Sequence, residues 1–155
     1  MSVRVLLVDD HDDARTTLAR RLSRDRRLEL IGAASSLKDT ANLLPDAQPD
    51  IVLLDMHGLG QHGVDACRTL RSLTDAPVVA FASFMTPELW AAAREAGAVD
   101  YLLKHIDTER ISRELVRLAE RHRRGADTHG GGHDSYRGGE GGHPDHEARA
   151  WCSPG

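Results

Sequence analysis

The sequence predicts an α/β fold: a doubly wound parallel sheet with helices on both faces. Three observations carry this. Short aliphatic runs alternate with amphipathic stretches five times before about residue 123. The central run, Ile51-Val52-Leu53-Leu54, is apolar at every position, as a strand covered by helices on both faces must be. Polar residues, acidic ones above all, close several of these runs. In open parallel sheets that end is where ligands bind.

Val3 to Val8 is β-branched and Leu-rich, a first strand that runs into Asp9-Asp10-His11-Asp12-Asp13. Ala14, Leu18 and Leu22 are spaced as one face of a helix. Asp12 and Asp13 stand near its N-terminus, where negative charge is favourable. Leu28 to Ala33 reads as the second strand. Leu37, Ala41 and Leu44 mark a short helix that Pro45 is expected to end. After the third strand, which closes on Asp55, a glycine-bearing loop leads to a helix marked by Val64, Cys67, Leu70 and Leu73. Pro77 to Ala82 is the fourth strand. Thr86-Pro87-Glu88 is a helix start, with a hydroxyl N-cap and proline at the first helical position. Leu89, Ala92, Ala93 and Ala96 give that helix its buried face, and Gly97 stops it. Val99 to Leu103 is the fifth strand. Ile111, Leu115 and Leu118 line a last helix expected to reach about Arg123. For this count the default is the flavodoxin-like order 2-1-3-4-5. Strands one and three are then neighbours, and Asp9-Asp10 meets Asp55 at one edge.

A net charge of -4 argues against a nucleic-acid binder. No apolar run is long enough to span a bilayer, and no signal peptide precedes the first strand. Cys67 and Cys152 fit no metal or disulfide framework, so a cytoplasmic setting is the simplest expectation. From Arg124 to Gly155 there are nine glycines and four histidines (His129, His133, His143, His146) but no Leu, Ile, Val, Met or Phe. Such a segment buries too little apolar surface to offset its ordering entropy. Residues 1–123 are therefore read as the folded domain and residues 124–155 as a disordered Gly/His-rich tail. Metal affinity of its histidines is read as adventitious.

The polar residues that end the strands make a definite constellation. Asp9, Asp10 and Asp55 repel one another unless a cation sits between them. Hard oxygen ligands suit Mg²⁺. Lys104, after the fifth strand, brings a further positive charge, and Ser83, after the fourth, a hydroxyl. A carboxylate nucleophile, a metal, an ammonium and a hydroxyl are what phosphoryl transfer requires, and an acyl phosphate on Asp55 is the inferred intermediate.

With V-L-L-V-D-D-H at the start and G-A-V-D-Y-L-L-K ending on Lys104, the chain resembles the receiver domain of bacterial two-component response regulators over roughly residues 2–121. Within that family it is similar to the NarL/LuxR-type subgroup. The resemblance implies Asp55 as phosphoacceptor and Asp10 as direct Mg²⁺ ligand. It implies Asp9 as a ligand through water and the His57 backbone carbonyl as a further ligand. Lys104 and Ser83 would contact the phosphoryl group, and Ser83 and Tyr101 would form the switch. A sensor histidine kinase or histidine phosphotransfer protein is the implied donor. An unidentified downstream protein would meet the face formed by helix four, strand five and helix five; homodimerisation is open. The domain is not expected to be an enzyme beyond its own phosphotransfer and slow dephosphorylation. No output domain is read in the tail, so neither direct DNA binding nor membrane contact is expected.

The family usually reads D-x-x-M-P-G-x-x-G after the phosphoacceptor. Here Gly63 keeps the eight-residue spacing, but Gly58-Leu59 replaces Met-Pro. His105 follows Lys104 where proline is common. Two other readings stand beside the phosphoacceptor. One is a binding module of this fold that signals without phosphorylation. The other is an aspartyl-phosphate phosphatase, which the D-x-D requirement of the haloacid-dehalogenase type disfavours, because Asp55 is followed by Met56-His57. The arginines Arg15, Arg20, Arg21, Arg24, Arg26 and Arg27 form a basic band, read as a solvated face or part of a kinase-docking surface.

Overall fold

The computed structural model describes residues 1–56 and 63–128. The elements alternate as β1 (Val3–Val8), α1 (Asp12–Leu22), β2 (Leu28–Ala34), α2 (Leu37–Ala47), β3 (Ile51–Asp55), α3 (Gly63–Leu73), β4 (Val78–Ala82), α4 (Pro87–Glu95), β5 (Ala98–Leu103) and α5 (Thr108–Thr128). The strands form one sheet in the order β2-β1-β3-β4-β5, each pair parallel. This is the flavodoxin-like doubly wound sheet.

Strand alternation divides the core into two layers. Leu6, Val8, Val52 and Leu54 point to one face and pack with Leu44 of α2, Ala66, Cys67 and Leu70 of α3, and Ala93 of α4. Val5, Leu7, Ile51 and Leu53 point to the other and pack with Leu22 of α1 and Ile111, Leu115 and Leu118 of α5. Every residue of β3 is buried. Each such aliphatic side chain is worth about 1.5–3 kcal/mol. The Cys67 thiol belongs to this packing, and burial pushes its pKa up.

Local chemistry explains the helix ends. The Thr86 hydroxyl accepts the Leu89 N–H at 3.1 Å, with Pro87 opening α4. Gly97 follows α4 at φ 112°, a region glycine enters without a Cβ penalty.

Three helices depart from their sequence patterns. In α1 the inward stripe is Arg15, Leu18, Ala19 and Leu22, whereas Ala14 is exposed. In α2 Pro45 lies inside the helix. It sits in the last turn, where the missing N–H forfeits a single bond. The chain turns instead at Gln48, in left-handed backbone at φ 45°, whose N–H donates to the Leu44 carbonyl at 3.2 Å. In α5 the helix continues five residues past Arg123. Just before this polar extension His122 Nε2 lies 3.1 Å from the Asp75 carbonyl and Arg123 pairs with Asp50 at 3.1 Å, and within it Arg124 pairs with Glu120 at 3.7 Å. The remaining residues assigned to the tail lie outside the described ones.

Gly63 opens α3 against the end of β3. A Cβ built there would lie 2.1 Å from the Met56 carbonyl oxygen. That atom is backbone and cannot swing aside. Gly63→Ala should therefore destabilise the fold by about 1–3 kcal/mol, read as a lowered urea midpoint with an unchanged m-value.

Candidate functional site

The sheet ladder places the site. The Asp9 N–H donates to the Ala34 carbonyl at 3.0 Å, which holds the end of β1 against β2. Asp55 is in register with Phe81 of β4, and the next N–H, of Met56, donates to the Phe81 carbonyl at 2.9 Å. The Lys104 N–H donates to the Ala82 carbonyl at 2.8 Å. The carboxyl ends of β1, β3, β4 and β5 are thereby locked side by side before any side chain acts.

Asp55 is fully buried and Asp9 is 2% exposed. The Lys104 ammonium donates to Asp55 Oδ2. Lys104 also lies 5.7 Å from the centre of the Phe81 ring, a cation–π contact that orients it from below. Burial pushes the Asp9 carboxyl above its usual range. The His11 backbone N–H, donating to Asp9 Oδ1 at 2.9 Å, works against this, and the Asp55 charge works with it. Two buried carboxylates thus share one ammonium, and the site is short of positive charge.

Asp10 is set differently. Its side chain is 42% exposed and its Oδ1 lies 2.9 Å from His11 Nδ1. Ser83 is exposed in the turn after β4. Tyr101 is 6% exposed and packs on Trp90 of α4, ring centres 5.1 Å apart. Trp90 is half-buried in that layer, and its indole N–H has no hydrogen-bond partner among the described residues. His57 lies outside the described residues. The structure thus brings Asp9, Asp10, Asp55 and Lys104 to one sheet edge, with Ser83 at the adjoining strand end. Tyr101 is turned into the layer under α4.

Two residues near the acidic pair carry more than their sequence positions suggested. Arg15 donates to the Asp9 carbonyl at 2.7 Å and pairs with Asp12 at 2.5 Å, so it braces the acidic turn and leaves the basic band. Its signal was available, one helical turn after Asp12. His11 turns its imidazole toward the carboxylates. Of the remaining band, Arg27 pairs with Asp25, and that contact lowers the Asp25 carboxyl to about 2. Arg20, Arg21, Arg24 and Arg26 are exposed.

The donor set suits Mg²⁺, which takes oxygen ligands and keeps several waters. Asp9 and Asp55 supply carboxylate oxygens within 4.8 Å of each other, and the charge deficit at these two buried aspartates suits a cation. A cleft of about 680 Å³ opens at the opposite end of the sheet, between α2 and α3. It is lined by Leu44, Pro45, Arg71 and Asp75 among others and holds none of the residues that end the strands.

The family model for the response regulator receiver domain matches residues 5–116, and the chain belongs to that family. It is 36% identical over 103 residues to the transcriptional regulatory protein LiaR of Bacillus subtilis, covering 66% of this chain and 49% of LiaR. It is 33% identical over 112 residues to the DNA-binding transcriptional activator DevR/DosR of Mycobacterium tuberculosis, covering 72% of this chain and 52% of that protein. The chain therefore spans about half the length of these curated relatives. A LuxR-family two-component response regulator from Aurantimonas sp. SI85-9A1 superposes with TM-score 0.69 at 26% identity, over 77% of this chain and 86% of that one. Among the described residues no helix is long and apolar enough to cross a membrane.

The raised Asp9 pKa has a definite sign in stability. Folding holds the proton more tightly than the unfolded chain does, so this contribution is complete below the unfolded value of 3.8 and is lost as pH rises through the folded value. Without divalent ions, Asp9→Asn should melt at a higher temperature than the parent at pH 7 and lose that advantage toward pH 3. Saturation with Mg²⁺ at about a hundred times its Kd should stabilise the parent by about 2.7 kcal/mol and Asp9→Asn by less. Thermal melts across pH, with and without Mg²⁺, read both effects.

Proposed function

We propose that this receiver accepts a phosphoryl group on Asp55 and passes the signal on through altered protein contacts. The observation that carries the reading is the buried Asp55 carboxylate, held by Lys104 and faced by Asp9 at the carboxyl edge of the sheet. The donor is a phosphohistidine on a sensor kinase or phosphotransfer protein. An Asp55 oxygen attacks phosphorus in line as the P–N bond breaks. The electron pair leaves with the imidazole, which takes up a proton. The product is an aspartyl phosphate, and water later cleaves its acyl–phosphate link.

The chain's own residues divide the work. Burial of Asp55 removes its hydration shell before attack and keeps competing water away. The Lys104 ammonium is positioned to follow charge from the carboxylate to a phosphoryl oxygen. Ser83, exposed in the turn after β4, is assigned the hydroxyl that donates to a second oxygen. Asp9, Asp10, Asp55 and the His57 carbonyl would hold Mg²⁺, with Asp9 acting through water. When bound, that ion neutralises charge on the phosphoryl oxygens.

The readout is assigned to Ser83, Tyr101 and the face of α4, β5 and α5. The buried Tyr101, its ring tilted against Trp90, is the arrangement assigned to the signalling state, and the phosphoryl group biases the population toward it. Membership of the NarL/LuxR-type subgroup and a cytoplasmic location complete the proposal, with residues 124–155 as an appendage outside the receiver. The domain itself is a phosphoacceptor. The similarity to a protein-glutamate methylesterase of Photobacterium profundum, 32% identical, covers only 28% of that enzyme.

Beryllofluoride with Mg²⁺ should bind the parent and change Trp90 emission. Asp55→Ala should abolish both binding and response. Tyr101→Ala should keep the binding and lose most of the emission change. Labelling by a phosphohistidine donor should vanish in Asp55→Ala and slow on the order of 10²-fold in Lys104→Ala. Unaltered partner binding by Asp55→Ala, with no beryllofluoride uptake by the parent, would establish the phosphorylation-independent module instead.

A further inference from the structure

Ligand atoms of Asp9, His11 and Asp55 all lie within 4.8 Å of one another. Imidazole is a nitrogen donor and has no place in a site read only as hard carboxylate oxygens. His11 Nδ1 stands 3.6 Å from Asp9 Oδ1 and 2.9 Å from Asp10 Oδ1. Two donors in adjacent positions on one ion, each about 2.1 Å from it, are about 3 Å apart. The 2.9 Å between His11 Nδ1 and Asp10 Oδ1 is what two direct ligands need, the 3.6 Å to Asp9 Oδ1 suits an aspartate acting through water, and the His11 side chain, 68% exposed, has room to adjust.

The backbone at His11 is fixed while its ring is not. Its N–H is tied to Asp9 Oδ1 at 2.9 Å, and it is the N-cap of α1 with φ -86° and ψ 108°. N-cap side chains commonly satisfy the first helical N–H groups, but His11 makes no such bond. The imidazole is therefore not spent on the helix and is aimed into the acidic cluster. A neutral imidazole also adds no charge, so two buried aspartates against one lysine still leave a net negative charge that favours a cation.

We propose that His11 is a nitrogen ligand of the receiver's metal pocket and lets it take a borderline transition-metal ion, such as Co²⁺ or Zn²⁺, as well as Mg²⁺. Imidazole suits these ions, whereas Mg²⁺ prefers oxygen. Ligation uses the Nδ1 lone pair, so a proton on Nδ1 moves to solvent or the ring binds as its Nε2–H tautomer. Asp10 Oδ1 is released from His11 in the same event and becomes available to the ion. The pocket itself rests on the proposed phosphoacceptor reading; its nitrogen ligand is the addition.

The test uses the full chain, stripped of metal, with histidine-selective NMR and calorimetry. On Co²⁺ addition the His11 ring resonances should show large hyperfine shifts at one equivalent, and Asp55→Ala should weaken them. His11→Ala should lower Co²⁺ and Zn²⁺ affinity at this site at least about tenfold more than it lowers Mg²⁺ affinity. Co²⁺ held only by the histidines of residues 129–155, with His11 unshifted, would overturn the proposal. So would an equal loss for all three ions, which would mean that His11 merely shapes the turn. Mg²⁺-dependent beryllofluoride binding by the parent is measured alongside. Its absence would defeat the phosphoacceptor reading whatever Co²⁺ does, and its presence with no His11 shift would defeat only the nitrogen ligand.

Discussion

The rest of the site depends on a charge imbalance: two buried carboxylates, Asp9 and Asp55, against one ammonium, Lys104. Buried charges are tolerated when paired and are strongly unfavourable otherwise. Lys104 compensates Asp55, and the His11 N–H partly compensates Asp9. Burial above all, with the Asp55 charge beside it, raises the Asp9 pKa, and the uncompensated charge makes the pocket a candidate acceptor for cations. The same imbalance lowers the stability of the bare fold near neutral pH and creates its affinity for metal, so stability and function draw on one electrostatic quantity with opposite signs.

That imbalance is possible because the scaffold around it does not yield. Parallel ladders on both sides of β3 fix the height of Asp55 relative to β1 and β4. Both layers of aliphatic side chains close over the strand. A charged group on a softer element would move toward water, whereas Asp55 ends a strand whose every residue is buried. The apolar core and the polar edge are thus one design, in which packing supplies the force that keeps the carboxylates together.

The sheet and the positions of Asp9, Asp10, Asp55, Ser83 and Lys104 were legible in the sequence because short continuous aliphatic runs mark buried strands and their polar ends mark the sheet edge. Contacts between distant segments were not legible. Nothing local in Arg121 to Thr128 signals the contacts of His122 with Asp75 and of Arg123 with Asp50. The stripe of α1 includes Arg15 in place of Ala14 because its guanidinium has a carbonyl to reach, and apolar counting passes over such a residue. Pro45 was given the weight of an interior proline, but its cost depends on how near the helix end it falls. The packing of Trp90 depends on the approach of Tyr101 from β5, a contact that no local pattern in α4 signals.

The close approach of Gly63 to Met56 bears on how this domain can change over generations. Met56 is 3% exposed and bonded to Phe81, and Gly63 abuts its carbonyl. The chain therefore leaves and re-enters the scaffold at adjoining points, like a bead held on a clasp. Position 63 is thereby restricted to glycine by the backbone it faces, so this residue should persist in descendants of the domain while exposed positions of α3 such as Asp65 change freely.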